Sequence, residues 1–195
     1  MVSGMINYQV GEIKYPRVSE ILNVVDWGIN KVPKEILKKY GAYGTAMHKL
    51  LHGICVGKRV RVSARYSDKV NLLREWLKEY EVLRSEEVVL WDDPLGPPLR
   101  YGGTFDLYVK RKSDNKLVLI DLKTGSINKN NIKKFYLQLN AYKEALTKTS
   151  FVHIDEMKII KPVVNEEGHQ LEEYDVPDCF DVFRKLLELH AWIHS

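Results

Sequence analysis

The stretch Tyr101–Tyr142, YGGTFDLYVKRKSDNKLVLIDLKTGSINKNNIKKFYLQLNAY, constrains the fold more than any other part of the chain. It predicts a strand, a tight turn, a second strand and a helix. Asp106 interrupts the first strand, and Asp121-Leu122-Lys123 closes the second after the apolar run LVLI. Side chains alternate along a strand, so Asp121 and Lys123 share a face, about 7 Å apart. A turn centred on Asp114-Asn115 would set Asp106 opposite Lys123 and diagonal to Asp121. Asp and Lys are both depleted in strands. Strand propensity therefore gives no reason for two carboxylates and an ammonium on one face.

Chemistry gives one. Two carboxylates on a rigid sheet can hold Mg²⁺ or Mn²⁺ through hard oxygen ligands, leaving positions for water and a phosphate. Such an ion polarises a phosphodiester and lowers the pKa of a bound water. A lysine beside it can orient that water and balance charge in the transition state. Leu122 would point into the core while its carbonyl faces the metal, and Gly102-Gly103 would let a nucleic-acid backbone come close. The plainer account is a surface salt bridge between Asp121 and Lys123, with Asp106 solvated.

The rest of the chain supplies the surroundings. Tyr15-Pro16-Arg17-Val18 reads as extended, with Ser19 as the N-cap of a short helix to about Val25. Pro33 opens a helix to Tyr40, which Gly41 and Gly44 break. Thr45 caps the next helix, TAMHKLLHGICV, whose apolar stripe is Met47, Leu50, Leu51 and Ile54. His48 and His52 lie one turn apart on its flank, and Gly57 ends it. After the basic connector KRVRVSAR comes an amphipathic helix from about Tyr66 to Leu83, with Tyr66, Val70, Leu73, Leu77 and Tyr80 on one face.

Glu86 to Trp91 reads as a strand and Asp92 to Pro98 as a loop. A helix is expected from about Asn131 to Thr147. Met157 to Val164 and Gln170 to Val176 form a hairpin, with Glu166-Glu167-Gly168 in the turn. Phe180 to Ile193 is a last amphipathic helix, with Phe183, Leu186, Leu187, His190 and Ile193 on one side. The order predicts one mixed α/β domain: a helical part over 15–84, a sheet with its helix over 86–176, and a C-terminal helix over 178–194.

At 195 residues, 45% hydrophobic and 29% charged, the chain suits a single domain with one sizeable core. The net charge of +4 fits a polyanionic partner without demanding one. Two cysteines, Cys55 and Cys179, are too few for a disulfide scaffold or a four-cysteine metal site. No signal-peptide pattern opens the chain, and no apolar run approaches the roughly 18 residues of a membrane span. A soluble, cytoplasmic protein with no membrane partner is expected.

Taken together, GGTFD, then IDLKTG, then QLNAY on the following helix resemble the PD-(D/E)xK nuclease superfamily, and within it the RecB-like exonuclease branch. GTAMHKLLH resembles the branch's upstream Gly-x-x-x-His element, and YPRVSEIL its entry segment in phage nucleases and the mitochondrial genome maintenance exonuclease. The resemblance runs from about Tyr15 to about Val176. It implies a restriction-endonuclease-like core, a small mixed sheet flanked by helices. It makes His48, Asp106 and Asp121 metal ligands, assisted by the Leu122 carbonyl, with Lys123 as catalytic lysine. Gln138 and Tyr142 become the branch's Gln-x-x-x-Tyr pair, facing the site and the DNA backbone. Many relatives have Glu where this chain has Asp121, which keeps the oxygen ligand. Relatives with an iron–sulfur cluster use four cysteines, so the cluster-free branch is the better match.

The implied activity is Mg²⁺- or Mn²⁺-dependent hydrolysis of DNA, as an exonuclease on single strands or ends. Lys133, Lys134 and Arg61 are candidate phosphate contacts, with Lys58, Arg59, Arg65 and Lys129 beside them, and a solvated face accounts for about half of these equally well. Tyr40 and Tyr43 are placed either to stack on single-stranded bases or to pack in the core. Tyr142 has a packing reading too, as an extension of a helix face formed by Ile132, Phe135, Tyr136, Leu139 and Leu146. Two alternatives share the core: a structure-specific or restriction-type endonuclease, and a non-catalytic nucleic-acid-binding module. His48 and His52 also have the spacing of a His-x-x-x-His zinc pair, but Lys49 stands where the HExxH motif of a zinc protease needs Glu. His52 is read as a packing or surface residue, and Glu86 and Glu87 as edge-strand charges.

Overall fold

The Leu117–Leu122 strand (β5) is buried along nearly its whole length, which explains its unbroken apolar run: helices cover both faces of the sheet around it. The computed structural model describes residues 8–27, 33–93 and 99–195. The expected loop from Asp92 to Pro98 falls largely outside them.

Five strands form one mixed sheet in the order β3 (Tyr80–Asp92), β4 (Arg100–Arg111), β5, β6 (Glu156–Asn165), β7 (Gly168–Asp175). Only β5 and β6 run parallel, and the crossover that parallel pairing requires is the helix α4 (Ile132–Ser150). A small hairpin of β1 (Tyr8–Val10) and β2 (Ile13–Tyr15) forms a second sheet, with Tyr8 set against β4, its Oη 2.9 Å from Thr104 Oγ1. One layer, α1 (Val18–Leu22), α4 and α5 (Phe180–Ile193), packs Ile21, Leu139 and Phe183 against Tyr101, Phe105 and Leu119. The other, α2 (Lys34–Cys55) and α3 (Ala64–Leu77), packs Met47, Leu51, Val70 and Leu73 against Leu107, Val118, Ile120 and Leu122. The mixed α/β core flanked by helices is the expected architecture. No helix among the described residues is long and apolar enough to cross a membrane.

Several expected boundaries are corrected. Ser19 is not an N-cap: Arg17 is, and its N–H donates to Glu20 Oε2 at 2.9 Å. Gly41 and Gly44 do not break the chain, and Thr45 caps nothing; α2 runs through all three. Each glycine costs about 1 kcal/mol against alanine there, but Gly44 has a packing reason. A Cβ on it would come within 3.2 Å of Thr124 Oγ1, so its absence lets α2 settle on the end of β5.

The helix expected to reach Leu83 stops at Leu77, and Tyr80 already belongs to β3, which begins six residues before Glu86. The last helix has its expected bounds, with Phe183 and Leu187 buried, but Ile193 is exposed. Its docking is fixed from α4: buried Asn140 donates to Pro177 O at 2.9 Å and accepts from Cys179 N–H at 2.9 Å.

Candidate metal centre

β4 and β5 part after the pair Leu107↔Ile120, β4 continuing against β3 alone and β5 against β6 alone. Extending that register puts Asp106 in line with Asp121, not with Lys123 as expected; the strands are offset by two residues. In the fork, Leu122 N–H has no β4 carbonyl to meet. It donates instead to Asp106 Oδ2 at 2.6 Å, so a carboxylate takes the place of the next ladder bond. A strand residue directs its N–H and C=O to the same edge, so the Leu122 carbonyl also faces the fork.

The other side of β4 is irregular at the same level. Ser85↔Leu107 and Glu87↔Phe105 bracket Glu86 and Asp106, and Glu86 adopts φ +55°, uncommon for a residue with a side chain. Face alternation also changes here: Phe105 packs with the α4 layer, while Leu107, two residues on, packs with the α2 layer. Glu86, Asp106 and Asp121 therefore form one row across three neighbouring strands.

α2 brings His48 to this row, where its Nδ1–H donates to Asp106 Oδ1 at 2.8 Å and lies 3.8 Å from Glu86 Oε1. Ligand atoms of His48, Glu86 and Asp106 all lie within 4.8 Å of one another. Donors about 2.1 Å from an octahedral ion stand about 3 Å apart when adjacent and about 4 Å when opposite, a range that holds the 2.8 and 3.8 Å separations of His48 from Asp106 and Glu86. Among the described residues, Asp121 joins no trio at that spacing. Its buried Oδ2 lies 2.7 Å from Lys123 Nζ and is ion-paired with it. Two carboxylates and one imidazole are a donor set for a divalent cation: the carboxylate oxygens suit Mg²⁺ or Mn²⁺, the imidazole zinc or iron.

The electrostatics of the two acids agree, while an ion bound through His48 would displace a proton from its ring. Burial first, then the Asp106 charge, raises the Glu86 carboxyl. Burial also raises Asp121, with Lys123 opposing and Asp106 adding to it. For His48, burial disfavours the charged ring, but the charge and hydrogen bond of Asp106, with help from Asp121, outweigh it; the imidazole is pushed up to about 9. Crowded acids favour any cation that enters.

Lys123 turns toward α4. Gln138 Oε1 accepts from Lys123 Nζ at 2.9 Å, Gln138 Nε2 donates to Tyr142 Oη at 2.9 Å, and the ammonium lies 4.6 Å from the Phe135 ring centre. The fork is thus reached by His48 from one helix layer and Gln138 from the other. Tyr142 is 6% exposed, and burial pushes its hydroxyl well above the usual range. Its ring covers Gly103, where a Cβ would overlap it, while Tyr8 covers Gly102. These glycines admit tyrosines, which corrects their expected role as a path for a nucleic-acid backbone.

Glu86 is the correction that matters most. It sits on the edge strand β3, as expected, but its carboxylate joins the cluster and does not stand alone. The sequence carried only the Glu86-Glu87 pair as a signal, and nothing in it told which glutamate turns inward. His52 packs as expected, its Nδ1 3.0 Å from Ser85 Oγ. Among the basic candidates, Lys134 donates to Asn23 Oδ1 at 2.9 Å and has its pKa lowered by burial and then by Lys123. Lys58, Arg59, Arg61, Lys129 and Lys133 are exposed and take no part in the cluster.

No family model matches the chain, and no curated protein matches it. Among solved structures, it is similar to the crystal structure of SSO0001, with a TM-score of 0.50 and 14% identity over 95% of this chain and 78% of that one. At that identity the likeness is one of fold alone.

Proposed function

We propose that the protein is a Mg²⁺- or Mn²⁺-dependent deoxyribonuclease of the PD-(D/E)xK type, related to the cluster-free RecB-like exonucleases and acting on single-stranded DNA or DNA ends. The observation that carries this reading is the convergence of His48, Glu86 and Asp106 within 4.8 Å beside the Asp121–Lys123 pair. A surface salt bridge does not account for it, since Asp121 is 3% exposed and Asp106 7%.

His48, Glu86 and Asp106 would hold the ion, with Asp121 and the Leu122 carbonyl facing the same fork. The ion, when bound, supplies polarisation of the phosphate and acidification of a water. Lys123, held between Asp121 and Gln138, would set positive charge beside a bound phosphate, where negative charge grows in the transition state. Gln138 fixes that ammonium, and Tyr142 fixes Gln138. Tyr142 therefore acts through its neighbours, and its buried ring leaves little surface for DNA.

The test is cleavage of end-labelled single- and double-stranded DNA, with circular substrates to separate endonuclease from exonuclease action. The reading expects cleavage that needs Mg²⁺ or Mn²⁺ and is lost in Asp121→Ala. No metal-dependent cleavage by the wild type would remove the enzyme reading, and cleavage surviving in Asp121→Ala would remove the site assignment.

A further inference from the structure

Beside the fork lies a second feature that the metal chemistry does not use. A groove of about 630 Å³ runs between the N-terminal half of α2 and α3. Lys39, Tyr40, Tyr43, Arg65, Lys69 and Thr124 line it. Thr124 follows Lys123 directly, and Gly44 seats α2 against it, so groove and fork share a wall. Tyr40, Gly44 and His48 lie on one i, i+4 ridge of α2, which places Tyr40 about 12 Å along the axis from the metal-facing histidine.

The two tyrosines are differently placed. Tyr43 is held in position: the Tyr66 ring centre is 5.0 Å away, and Arg65 Cζ and Lys69 Nζ lie 4.9 and 5.4 Å from its centroid. Tyr40, one turn earlier, is 63% exposed and has no ring or cation partner among the described residues. Neither helix propensity nor core packing asks for an aromatic there. Around it, Lys39, Arg65 and Lys69 form no ion pair among the described residues, and Asp68 is the one carboxylate in the lining. Burial, and then the nearby Lys161, lowers the Lys69 pKa, as for an ammonium that lacks an anion.

We propose that this groove is a subsite for an unpaired nucleotide, with the base stacked on Tyr40 and the flanking phosphates on Arg65, Lys69 and Lys39. The proposal rests on the reading of the fork as a DNA-cleaving centre and names the residues that would hold the unpaired strand beside it. A base must leave the duplex to offer its face to a side chain, and aromatic platforms between cations bind single strands without regard to sequence. Such a subsite next to Lys123 selects single strands by geometry.

The experiment is fluorescence anisotropy in EDTA, where binding is read without cleavage. The probes are labelled oligothymidylate, an abasic strand of the same length and charge, and a blunt duplex. The wild type should bind thymidylate about tenfold more tightly than the abasic strand, and the duplex more weakly than thymidylate. Tyr40→Ala, at an exposed position, should erase the base preference and leave abasic binding unchanged. Arg65→Ala should weaken thymidylate and abasic strands alike. Equal wild-type binding of thymidylate and abasic strand would overturn the subsite, as would a base preference that survives Tyr40→Ala. Cleavage without base preference removes the subsite alone. A base preference without cleavage removes the hydrolytic reading and leaves the subsite standing.

Discussion

Asp106 binds in two directions at once: Oδ1 accepts from His48 Nδ1–H at 2.8 Å, and Oδ2 accepts from Leu122 N–H at 2.6 Å. One carboxylate thereby links a helix of the α2 layer to the point where β4 and β5 separate. The site depends on that separation, because a continued ladder would give Leu122 N–H a backbone acceptor and leave no room for a ligand set.

A divalent ion should stabilise the fold, since Glu86 and Asp121 are both raised by burial and by the charge of Asp106. At a hundredfold excess over its dissociation constant the ion adds about 2.7 kcal/mol. Thermal melts with and without Mn²⁺ should show a rise for the wild type that Glu86→Gln loses. An equal rise in both would exclude Glu86 as a ligand.

Gln138→Ala removes the Lys123 anchor without touching the acidic row. Activity should fall roughly ten- to a hundredfold, as for other groups that orient a metal site from outside it, while Mn²⁺ affinity stays unchanged. Steady-state rates and calorimetric Mn²⁺ titration check the two halves. A matching fall in metal affinity would mean that Gln138 shapes the ligands themselves.

Gly103→Ala should destabilise the protein by roughly 1–3 kcal/mol, because the new methyl group overlaps the Tyr142 ring. Gly125→Ala, with nothing within 4 Å of its Cβ, is the matched control. Urea denaturation of both variants reads the difference. Equal stability would show that Tyr142 has room to move away.

Burial pushes the Cys55 thiol up to about 11, with a hydrogen bond involving Ser85 opposing it. The raised value means that the fold favours the neutral thiol. Its contribution is fully present below the ordinary thiol pKa and is lost as pH rises from there through about 11. Alkylation of Cys55 at pH 8 should therefore be much slower in the native protein than in urea, as followed by peptide mass spectrometry. Equal rates would contradict the burial argument.

Much of this arrangement was legible in the chain, and what was not has specific physical causes. The Phe180–Ile193 helix and the turn at Gly168 were readable because local periodicity and turn chemistry agree with the tertiary structure. Asp106, Asp121 and Lys123 stood out because strands disfavour them. The continuity of α2 through Gly41 and Gly44 was not readable, since packing against Thr124 overrides a local penalty that the sequence states plainly. Tyr80 fits a helical stripe as well as a strand, and the strand pairing Tyr80↔Arg111 decides between them. The two-residue register offset comes from the Arg111–Lys116 turn, where Asn115 takes φ +61°. Glu86 stayed hidden because its inward turn depends on one backbone angle and on a break in face alternation, and neither leaves a mark in residue types.

The proposed site sets His48, Glu86 and Asp106 around a divalent ion at the fork of β4 and β5. The most direct measurement is anomalous diffraction from crystals soaked in Mn²⁺. A manganese peak is expected about 2 Å from a ring nitrogen of His48 and from carboxylate oxygens of Glu86 and Asp106, with Asp121 and the Leu122 carbonyl facing it. A fully soaked crystal with no peak in the fork, or with manganese bound only elsewhere, would contradict it.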